Sequence, residues 1–231
     1  MNVTLSRLGR AALDLLYPPR CVLCSRSGPF ICDDCALGLP GAKGPRCDTC
    51  WLPADGFCRR CAERPLALER LRSVCRHDGQ ARRLVHAFKY GYQSCLSEPL
   101  ARLMQPLLAE ADLRAELLTP VPIAGRRQRE RGYNQAGLLA RDLGALSGLP
   151  VIDALTRRRF DGPQAGAATA DQRWRRVQGS FVVRRPEAVR GRRVLLVDDV
   201  ATTGATLDAC ARELLAAGAE SVSAITFGRE D

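Results

Sequence analysis

Eight cysteines near the N-terminus form the densest group of potential metal ligands in the chain. They fall in four C-x-x-C pairs: Cys21 and Cys24, Cys32 and Cys35, Cys47 and Cys50, Cys58 and Cys61. The first four recur 26 positions later, so CVLCSRSGPFICDDC and CDTCWLPADGFCRRC are two copies of one unit. Each copy supplies four thiols, the number that zinc requires in a closed, tetrahedral structural site. We therefore expect two structural zinc ions.

Other chemistries of these thiols fit the pattern less well. A disulfide framework is disfavoured because the 11 cysteines are an odd number and the N-terminus lacks the unbroken apolar run of a secretory signal. An iron–sulfur cluster or a redox pair is a weaker alternative, since a duplicated four-thiol unit needs no redox chemistry. Spacing leaves open whether the pairs bind zinc sequentially or cross-braced, although the duplication favours sequential pairing.

The segment around the knuckles contains few apolar residues, so we expect its folding to depend on metal. Phe30 and Phe57 are the predicted packing residues of the two units. The three remaining cysteines have no partner at ligand spacing and are predicted to be buried apolar fillers. They are Cys75, Cys95 and Cys210.

A second candidate site follows a short apolar run near the C-terminus. Val194–Val197 predicts a strand buried on both faces, and Asp198 and Asp199 come directly after it. The small polar turn ATTGAT is next, followed by apolar residues with a helical period. A further strand is predicted at Ser221–Phe227. A strand, loop, helix and strand in this order are typical of a parallel α/β sheet.

The order of residue types in this segment suits a sugar phosphate. A turn rich in Gly and Thr at a helix N-terminus directs several N–H and hydroxyl groups at one point, which favours a phosphate dianion. Two adjacent carboxylates can accept hydrogen bonds from vicinal sugar hydroxyls, so the segment is typical of a ribose 5-phosphate site. In the simpler interpretation the aspartates only cap a helix and the threonines only form a turn. That interpretation does not explain why all the parts occur in order.

The segment VLLVDDVATTGATL resembles the phosphoribosyl pyrophosphate (PRPP) motif of type I phosphoribosyltransferases. Together with the cysteine-rich head, FKY at 88–90, VPI at 121–123, RERGYNQ at 129–135 and GSF at 179–181, it resembles the ComF family. Members of that family, some called GntX-like, carry a double zinc ribbon before a phosphoribosyltransferase-like domain. The resemblance implies an α/β fold with a parallel sheet. It places the N-terminal helix and double zinc ribbon at 1–65 and the phosphoribosyltransferase-like domain at 66–231.

The resemblance also implies roles for individual residues. Asp198 and Asp199 would hold the ribose 2- and 3-hydroxyls and would be the catalytic residues of any transfer. The residues that would cradle the 5-phosphate are Thr202, Thr203, Gly204, Ala205 and Thr206. The candidates for the pyrophosphate, which would carry magnesium, are Lys89, Arg126, Arg127, Arg129 and Arg131. A solvent-exposed charge at a helix start describes each single arginine equally well, but four cations within six residues favour an anion site. The long loop at 156–181 is the predicted lid.

The elements that must position these residues follow from hydrophobic periodicity. Helices are predicted at 80–89, 98–118 with a break at Pro106, 134–146 and 206–217. Strands are predicted at 71–76, 118–121, 151–155, 181–183, 194–197 and 221–227. An amphipathic series comprising Leu5, Leu8, Ala12, Leu15 and Leu16 predicts an N-terminal helix packed across the head.

Charge and hydropathy restrict the setting in which these sites operate. The net charge is +10, and only two of the 35 basic residues are lysines, so 33 are arginines. Arginine matches phosphate geometry well, although codon usage in a GC-rich genome explains most of this bias. No apolar run approaches the roughly 18 residues that cross a bilayer, so we expect no membrane span. A cytoplasmic location is the default.

Two functions are compatible with these features. The ComF resemblance implies a PRPP-binding protein that serves DNA uptake in natural transformation. Single-stranded DNA and proteins of the competence machinery are then its candidate partners. The alternative is an active phosphoribosyltransferase that moves the 5-phosphoribosyl group of PRPP to a nitrogen acceptor and releases pyrophosphate. Catalysis stays open because no acceptor-base pocket is recognisable in the sequence.

Overall fold

A computed structural model of the chain describes residues 18–41, 44–109, 113–158, 174 and 177–231. The predicted N-terminal helix and most of the predicted lid lie outside these residues.

The two cysteine units have the same backbone, as their sequence duplication predicts. Each contains a short helix after its third cysteine, α1 (Asp33–Leu37) and α2 (Arg59–Glu63). Ser25 and Trp51, 26 positions apart, both have a positive φ near 60°. Their amides donate to the carbonyls of the first cysteine of each unit, at 2.8 and 2.9 Å. The repeat is therefore structural as well as sequential.

The remainder of the chain forms an α/β unit around a four-stranded parallel sheet with the order β1-β6-β5-β2. Its strands are β1 (Leu71–Arg76), β2 (Leu117–Pro120), β5 (Arg193–Ala201) and β6 (Ser221–Arg229), and a separate antiparallel pair comprises β3 (Leu155–Arg157) and β4 (Phe181–Val183). The helices are α3 (Gly79–Tyr90), α4 (Ser97–Ala109), α5 (Gly125–Arg131), α6 (Gln135–Ser147), α7 (Pro186–Val189) and α8 (Ala205–Ala216), and a 3-10 turn spans Ser94–Leu96. The predicted parallel-sheet class is confirmed.

Two element predictions were wrong in their extent, and one helix was not predicted. The helix predicted at 98–118 continues through Pro106 but ends at Ala109, and β2 begins at Leu117. The strand predicted at 151–155 is a single bridge at Val151, followed by β3. No element was predicted for the segment of the four candidate pyrophosphate arginines, and it forms helix α5. The first two errors arise where apolar periodicity runs on through a connection. Helix α5 was missed because its residues, GRRQRER, carry no apolar period.

The apolar core has two parts, one on each face of the sheet. One part joins α3, α4 and α6 to the sheet and includes Leu23 and Ile31 of the first cysteine unit. The other part packs α8, β4 and the connection after residue 65 on the opposite face. The first unit therefore shares a core with the α/β unit across the predicted boundary at residue 65.

Candidate functional site

The sheet opens at the carboxyl end of β5. Strand β2 stops at Pro120, which pairs with Val197, whereas β6 continues beside β5 as far as the pair Ala201 and Arg229. The strand predicted to end at Val197 therefore continues four residues further, to Ala201, because β6 still supplies hydrogen bonds. Among the described residues, only one side of β5 has a strand partner beyond this point. Asp198 and Asp199 lie in this open stretch.

The two aspartates have different neighbours, since successive side chains of a strand point to opposite faces. Asp199 is buried, and its Oδ1 lies 2.8 Å from Nζ of Lys89, in the last turn of α3. Asp198 is partly exposed, and its Oδ1 accepts a hydrogen bond from the amide of Asp199 at 2.8 Å. The sequence did not predict the pairing of Lys89 with Asp199, because the two residues are far apart in the chain.

Although residue Asp198 is partly exposed, desolvation of its carboxyl group raises its pKa to about 7, and the neighbouring carboxylate of Asp199 adds to the effect. The positive charge of Lys89 opposes it. Desolvation and a neighbouring negative charge both disfavour the ionised form of a carboxyl group. The surroundings of Asp198 therefore favour its protonated form. A bound cation would displace that proton.

The predicted phosphate loop lies between β5 and α8. Gly204 has φ +77° at the N-terminal end of α8, a conformation that glycine adopts without strain. The amide of Ala205 donates to Oγ1 of Thr203 at 3.3 Å, and the first intrahelical bond runs from Asp208 to the Gly204 carbonyl at 2.9 Å. No backbone acceptor is recorded for the amides of Thr202, Thr203 and Gly204 within the described ranges. With respect to the part of the chain that the structure describes, the loop therefore has free donors at a helix N-terminus, the arrangement that favours an anion.

A basic cleft of about 170 Å³ adjoins the aspartates. Its lining residues come from the end of α3, the residues just after it, and α5. They are Lys89, Tyr90, Tyr92, Arg127, Glu130 and Arg131. The guanidinium of Arg131 stacks 4.9 Å from the ring centre of Tyr90 and donates to its hydroxyl at 3.1 Å. Lys89 contributes to both the cleft and the Asp199 ion pair, so the basic and acidic parts are continuous.

The structure separates the five predicted pyrophosphate residues into two groups. Lys89, Arg127 and Arg131 line the cleft. Arg126 instead pairs with Glu130 one helical turn away, at 2.8 Å, and Arg129 lies exposed on α5 outside the cleft lining. Because α5 is a helix rather than a loop, its arginines point in different directions. Spacing alone could not distinguish them, since the sequence did not predict this helix.

The eight N-terminal thiols form two clusters. Within each cluster all four Sγ atoms lie within 4.8 Å of one another, and the sets are residues 21, 24, 32 and 35 and residues 47, 50, 58 and 61. Three Sγ–Sγ separations of 3.6 to 3.7 Å match the roughly 3.8 Å expected around tetrahedral zinc with Zn–S bonds of about 2.3 Å. The two clusters fit two structural zinc ions. Pairing is sequential, which the spacing had left open.

The other cysteines and the predicted packing residues were only partly assigned correctly. Cys75 and Cys210 are buried as predicted, but Cys95 is exposed in the 3-10 turn. Phe30 packs against the core, whereas Phe57 is 74% exposed. Burial of these residues depends on which surface each unit turns toward the sheet, and local sequence does not encode that.

Two residues that contact the phosphate loop were not predicted from the sequence. Arg229, at the end of β6, donates to the carbonyls of Ala201 and Thr202, and Arg60 of α2 donates to the carbonyl of Thr203. Both are single arginines among 33 in the chain, and no spacing pattern marks them.

The two parts of the chain match known families. The double zinc ribbon domain matches residues 12–77, and the phosphoribosyl transferase domain matches residues 129–229. The DNA utilization protein YhgH of Salmonella typhimurium is 33% identical over 221 residues, covering 90% of this chain and 96% of its own length. Competence protein F of Haemophilus influenzae is 26% identical over 215 residues, covering 84% and 94%. Competence protein ComFC of Bacillus subtilis is 27% identical over 216 residues, covering 86% and 84%.

This chain belongs to the ComF family. Solved structures are more distant from this ComF-family chain. The allosteric regulatory enzyme of purine biosynthesis superposes with a TM-score of 0.41 at 20% identity, over 61% of this chain and 29% of that chain. The adenine phosphoribosyltransferase of Thermoanaerobacter pseudethanolicus gives 0.38 at 15% identity, over 61% and 83%. Superpositions at this level carry no functional conclusion. None of the described helices is both long and apolar enough to cross a bilayer.

Proposed function

We propose that this ComF-family protein binds PRPP with magnesium at the carboxyl edge of its sheet and acts in the handling or uptake of DNA. The relatives named as competence and DNA utilization proteins support the second part. Three adjoining features support the first part: the phosphate loop, the aspartate pair and the basic cleft.

The phosphate loop would hold the 5-phosphate. The amides of Thr202, Thr203 and Gly204 and the first turn of α8 supply uncommitted donors. The hydroxyls of Thr202, Thr203 and Thr206 lie in the same partly exposed stretch. A phosphate dianion in this position would accept hydrogen bonds from the backbone N–H groups at the N-terminus of α8. The helix dipole would also favour its negative charge.

The aspartate pair would hold the ribose hydroxyls beside magnesium. Magnesium prefers carboxylate, hydroxyl and phosphate oxygens, and it usually reaches proteins through one or two carboxylates together with substrate phosphates. Bound there, it would neutralise negative charge on the pyrophosphate. Asp198 would then lose its proton, and Lys89 would leave Asp199 for the pyrophosphate.

The observation that carries the PRPP proposal is the position of Lys89. Its ammonium group contacts Asp199 and also lines the cleft that Arg127 and Arg131 complete. A sugar bound at the aspartates therefore has a cationic site immediately beside it. A diol site with an adjoining polyanion site fits PRPP better than a simple sugar phosphate.

Isothermal calorimetry with PRPP and magnesium tests the proposal. We expect wild-type binding and, for the double variant Asp198→Ala/Asp199→Ala, a loss of about 100-fold or more, since the ribose and metal contacts disappear together. Glu98→Gln is the matched control, because Glu98, in the first turn of α4, forms an exposed ion pair with Arg102 and is not part of the loop, the aspartate pair or the cleft lining. Absence of binding by the wild-type protein would remove the PRPP proposal.

We further propose that the rim of the cleft contacts single-stranded DNA. Tyr90 and Tyr92 are 58% and 73% exposed, and Arg131 stacks on Tyr90. Exposed aromatic rings beside arginines form the stacking platforms that single strands use, at about 1 to 3 kcal/mol per base.

An oligo(dT) titration monitored by fluorescence anisotropy checks this surface. We expect Tyr92→Ala to weaken binding about tenfold and affinity to fall steeply with salt. Phe57→Ala removes an equally exposed aromatic ring away from the cleft and should leave affinity unchanged. Equal effects of the two variants, or no binding at low salt, would contradict a DNA surface at this place.

Catalytic transfer is the second candidate, and the retention of both aspartates at the sheet edge favours it. Catalysis would be established if the wild-type protein releases pyrophosphate from PRPP in the presence of a nucleobase acceptor and the Asp199→Asn variant does not. Binding without release would leave PRPP as a ligand of a non-catalytic protein. A cytoplasmic site of action is part of the proposal, because thiolates must stay reduced to hold zinc.

A further inference from the structure

The second zinc ribbon, residues 47–61, contacts the phosphate loop through one buried arginine. Arg229 is the last residue of β6 and is only 2% exposed. Its Nε donates to the carbonyl of Cys50, a zinc ligand, at 3.0 Å. Its Nη1 donates to the carbonyl of Ala201 at 3.1 Å, to that of Glu230 at 2.6 Å and to that of Thr202. One guanidinium therefore connects the metal cluster to the start of the loop.

A second arginine from the ribbon itself reaches the next residue of the loop. Arg60, adjacent to the ligand Cys61, donates through Nη2 to the carbonyl of Thr203 at 2.6 Å. Three consecutive loop carbonyls, those of Ala201, Thr202 and Thr203, thus accept hydrogen bonds from guanidinium groups. Both guanidiniums are attached to the second ribbon, one covalently and one through Cys50.

These bonds determine the direction of the loop amides. In a trans peptide the C=O of one residue and the N–H of the next point in opposite directions, and the chain contains no cis peptide among its described residues. Holding the carbonyls of residues 201, 202 and 203, the first of them together with the Glu230 amide at 2.9 Å, therefore turns the amides of Thr202, Thr203 and Gly204 away from the ribbon. These are the three amides proposed to bind the 5-phosphate. Positive charge at the carbonyl end also polarises each peptide and strengthens its N–H as a donor.

We propose that Arg229 and Arg60 are positioning residues of the 5-phosphate site and that the second zinc ribbon is the rigid base from which they act. The inference rests on the proposed PRPP site and assigns to one zinc cluster a role in ligand affinity. The first ribbon, residues 21–35, has no recorded hydrogen bond to the loop within the described ranges. It packs against α3 on the other face.

Affinities for two ligands that each resemble part of PRPP distinguish a loss of loop orientation from a general loss of structure. Ribose 5-phosphate needs the loop, whereas inorganic pyrophosphate needs Lys89, Arg127 and Arg131 in the cleft. Calorimetry with each ligand, in the zinc-loaded protein with magnesium, would use Arg229→Met, Arg229→Lys and Arg60→Met. We expect the affinity for ribose 5-phosphate to fall about tenfold or more, since two or more oriented amides lose their support, and the affinity for pyrophosphate to stay within about twofold.

Arg46→Met is the matched control. Arg46 donates to the carbonyl of Trp51 at 3.2 Å and pairs with Asp231 at 2.7 Å, so it also ties the second ribbon to the end of β6, without contacting the loop. We expect it to leave both affinities unchanged. Zinc content, measured by mass spectrometry, should remain two per chain in all variants. Arg60 is only partly buried, so Arg60→Met keeps the test available if the Arg229 variants do not fold.

Each outcome bears on one proposal or the other. If Arg229→Met and Arg60→Met bind ribose 5-phosphate as tightly as the wild-type protein does, the positioning role is wrong and the proposed PRPP site is unaffected. Equal weakening of both ligands would also overturn it, because it would indicate a general loss of structure. A wild-type protein that binds neither ligand overturns the proposed function, and the positioning role with it.

Discussion

The two zinc ribbons have nearly the same backbone and quite different attachments. The first inserts apolar side chains, Leu23 and Ile31, into the core beneath α3 and α4. The second is held by arginines of the sheet: Arg229 at Cys50, and Arg72, which donates to the Asp48 carbonyl at 2.7 Å and stacks 4.5 Å from the ring centre of Trp51. Trp51 of the second ribbon also packs against the other part of the core, so the first ribbon is docked by apolar burial and the second by apolar packing together with guanidinium hydrogen bonds.

This difference assigns different tasks to the two copies. Apolar burial is roughly proportional to area and has no preferred direction, so the first ribbon mainly adds stability. Hydrogen bonds from guanidinium groups are directional and charge-assisted, so the second ribbon orients the groups it touches. Arg60 of this ribbon donates to the Thr203 carbonyl, and Arg229, which also donates to the Cys50 carbonyl of the ribbon, donates to those of Ala201 and Thr202, at the edge of the sheet where the proposed site lies.

Removing each zinc ion in turn gives the largest expected contrast. Cys32→Ser/Cys35→Ser should abolish the first cluster and lower the Tm by roughly 10 °C or more, since a loss of about 4 kcal/mol follows when ligands that line the core lose their metal. Cys58→Ser/Cys61→Ser should lower the Tm less but abolish binding of ribose 5-phosphate. Differential scanning calorimetry and ligand titration measure the two effects.

The comparison fails if the two double variants behave alike in both measurements. If the first-ribbon variant is less stable but still binds ribose 5-phosphate below its Tm, the first ribbon contributes stability and the second orients the loop.

A smaller contrast uses the equivalent positions Ile31 and Phe57, which lie 26 residues apart. Ile31 is 8% exposed within the core, whereas Phe57 is 74% exposed. Ile31→Ala should cost about 2 to 4 kcal/mol of unfolding free energy, because it removes buried methyl groups and leaves a cavity. Phe57→Ala should change it by less than about 0.5 kcal/mol. Urea denaturation at constant zinc gives both values; similar losses would mean that the second ribbon is also docked by apolar burial.

Much of the site was predictable where its parts are local in sequence. C-x-x-C knuckles bring two thiols together over a few residues, so the two zinc clusters followed from spacing. The apolar strand, paired aspartates, polar turn and helix are likewise contiguous, so the position of the candidate loop at the sheet edge was predictable. The roles of Asp198, Asp199 and the loop threonines in PRPP binding stay predictions.

Residues joined only by tertiary contacts were not predictable. The length of β5 depended on β6 continuing beside it, and the pairing of Lys89 with Asp199 depended on how α3 packs. The choice between Arg126 and Arg131 depended on helix α5.

By itself, the sequence determined the chemistry of this protein: which eight thiols are metal ligands and which segment forms the loop, because these groups lie close together in the chain. Only the tertiary structure decided that one of two near-identical ribbons reaches that loop. The reason is that Arg229 and Cys50 are 179 residues apart, and their contact exists only when the parallel strands and the ribbon meet at the same edge of the sheet.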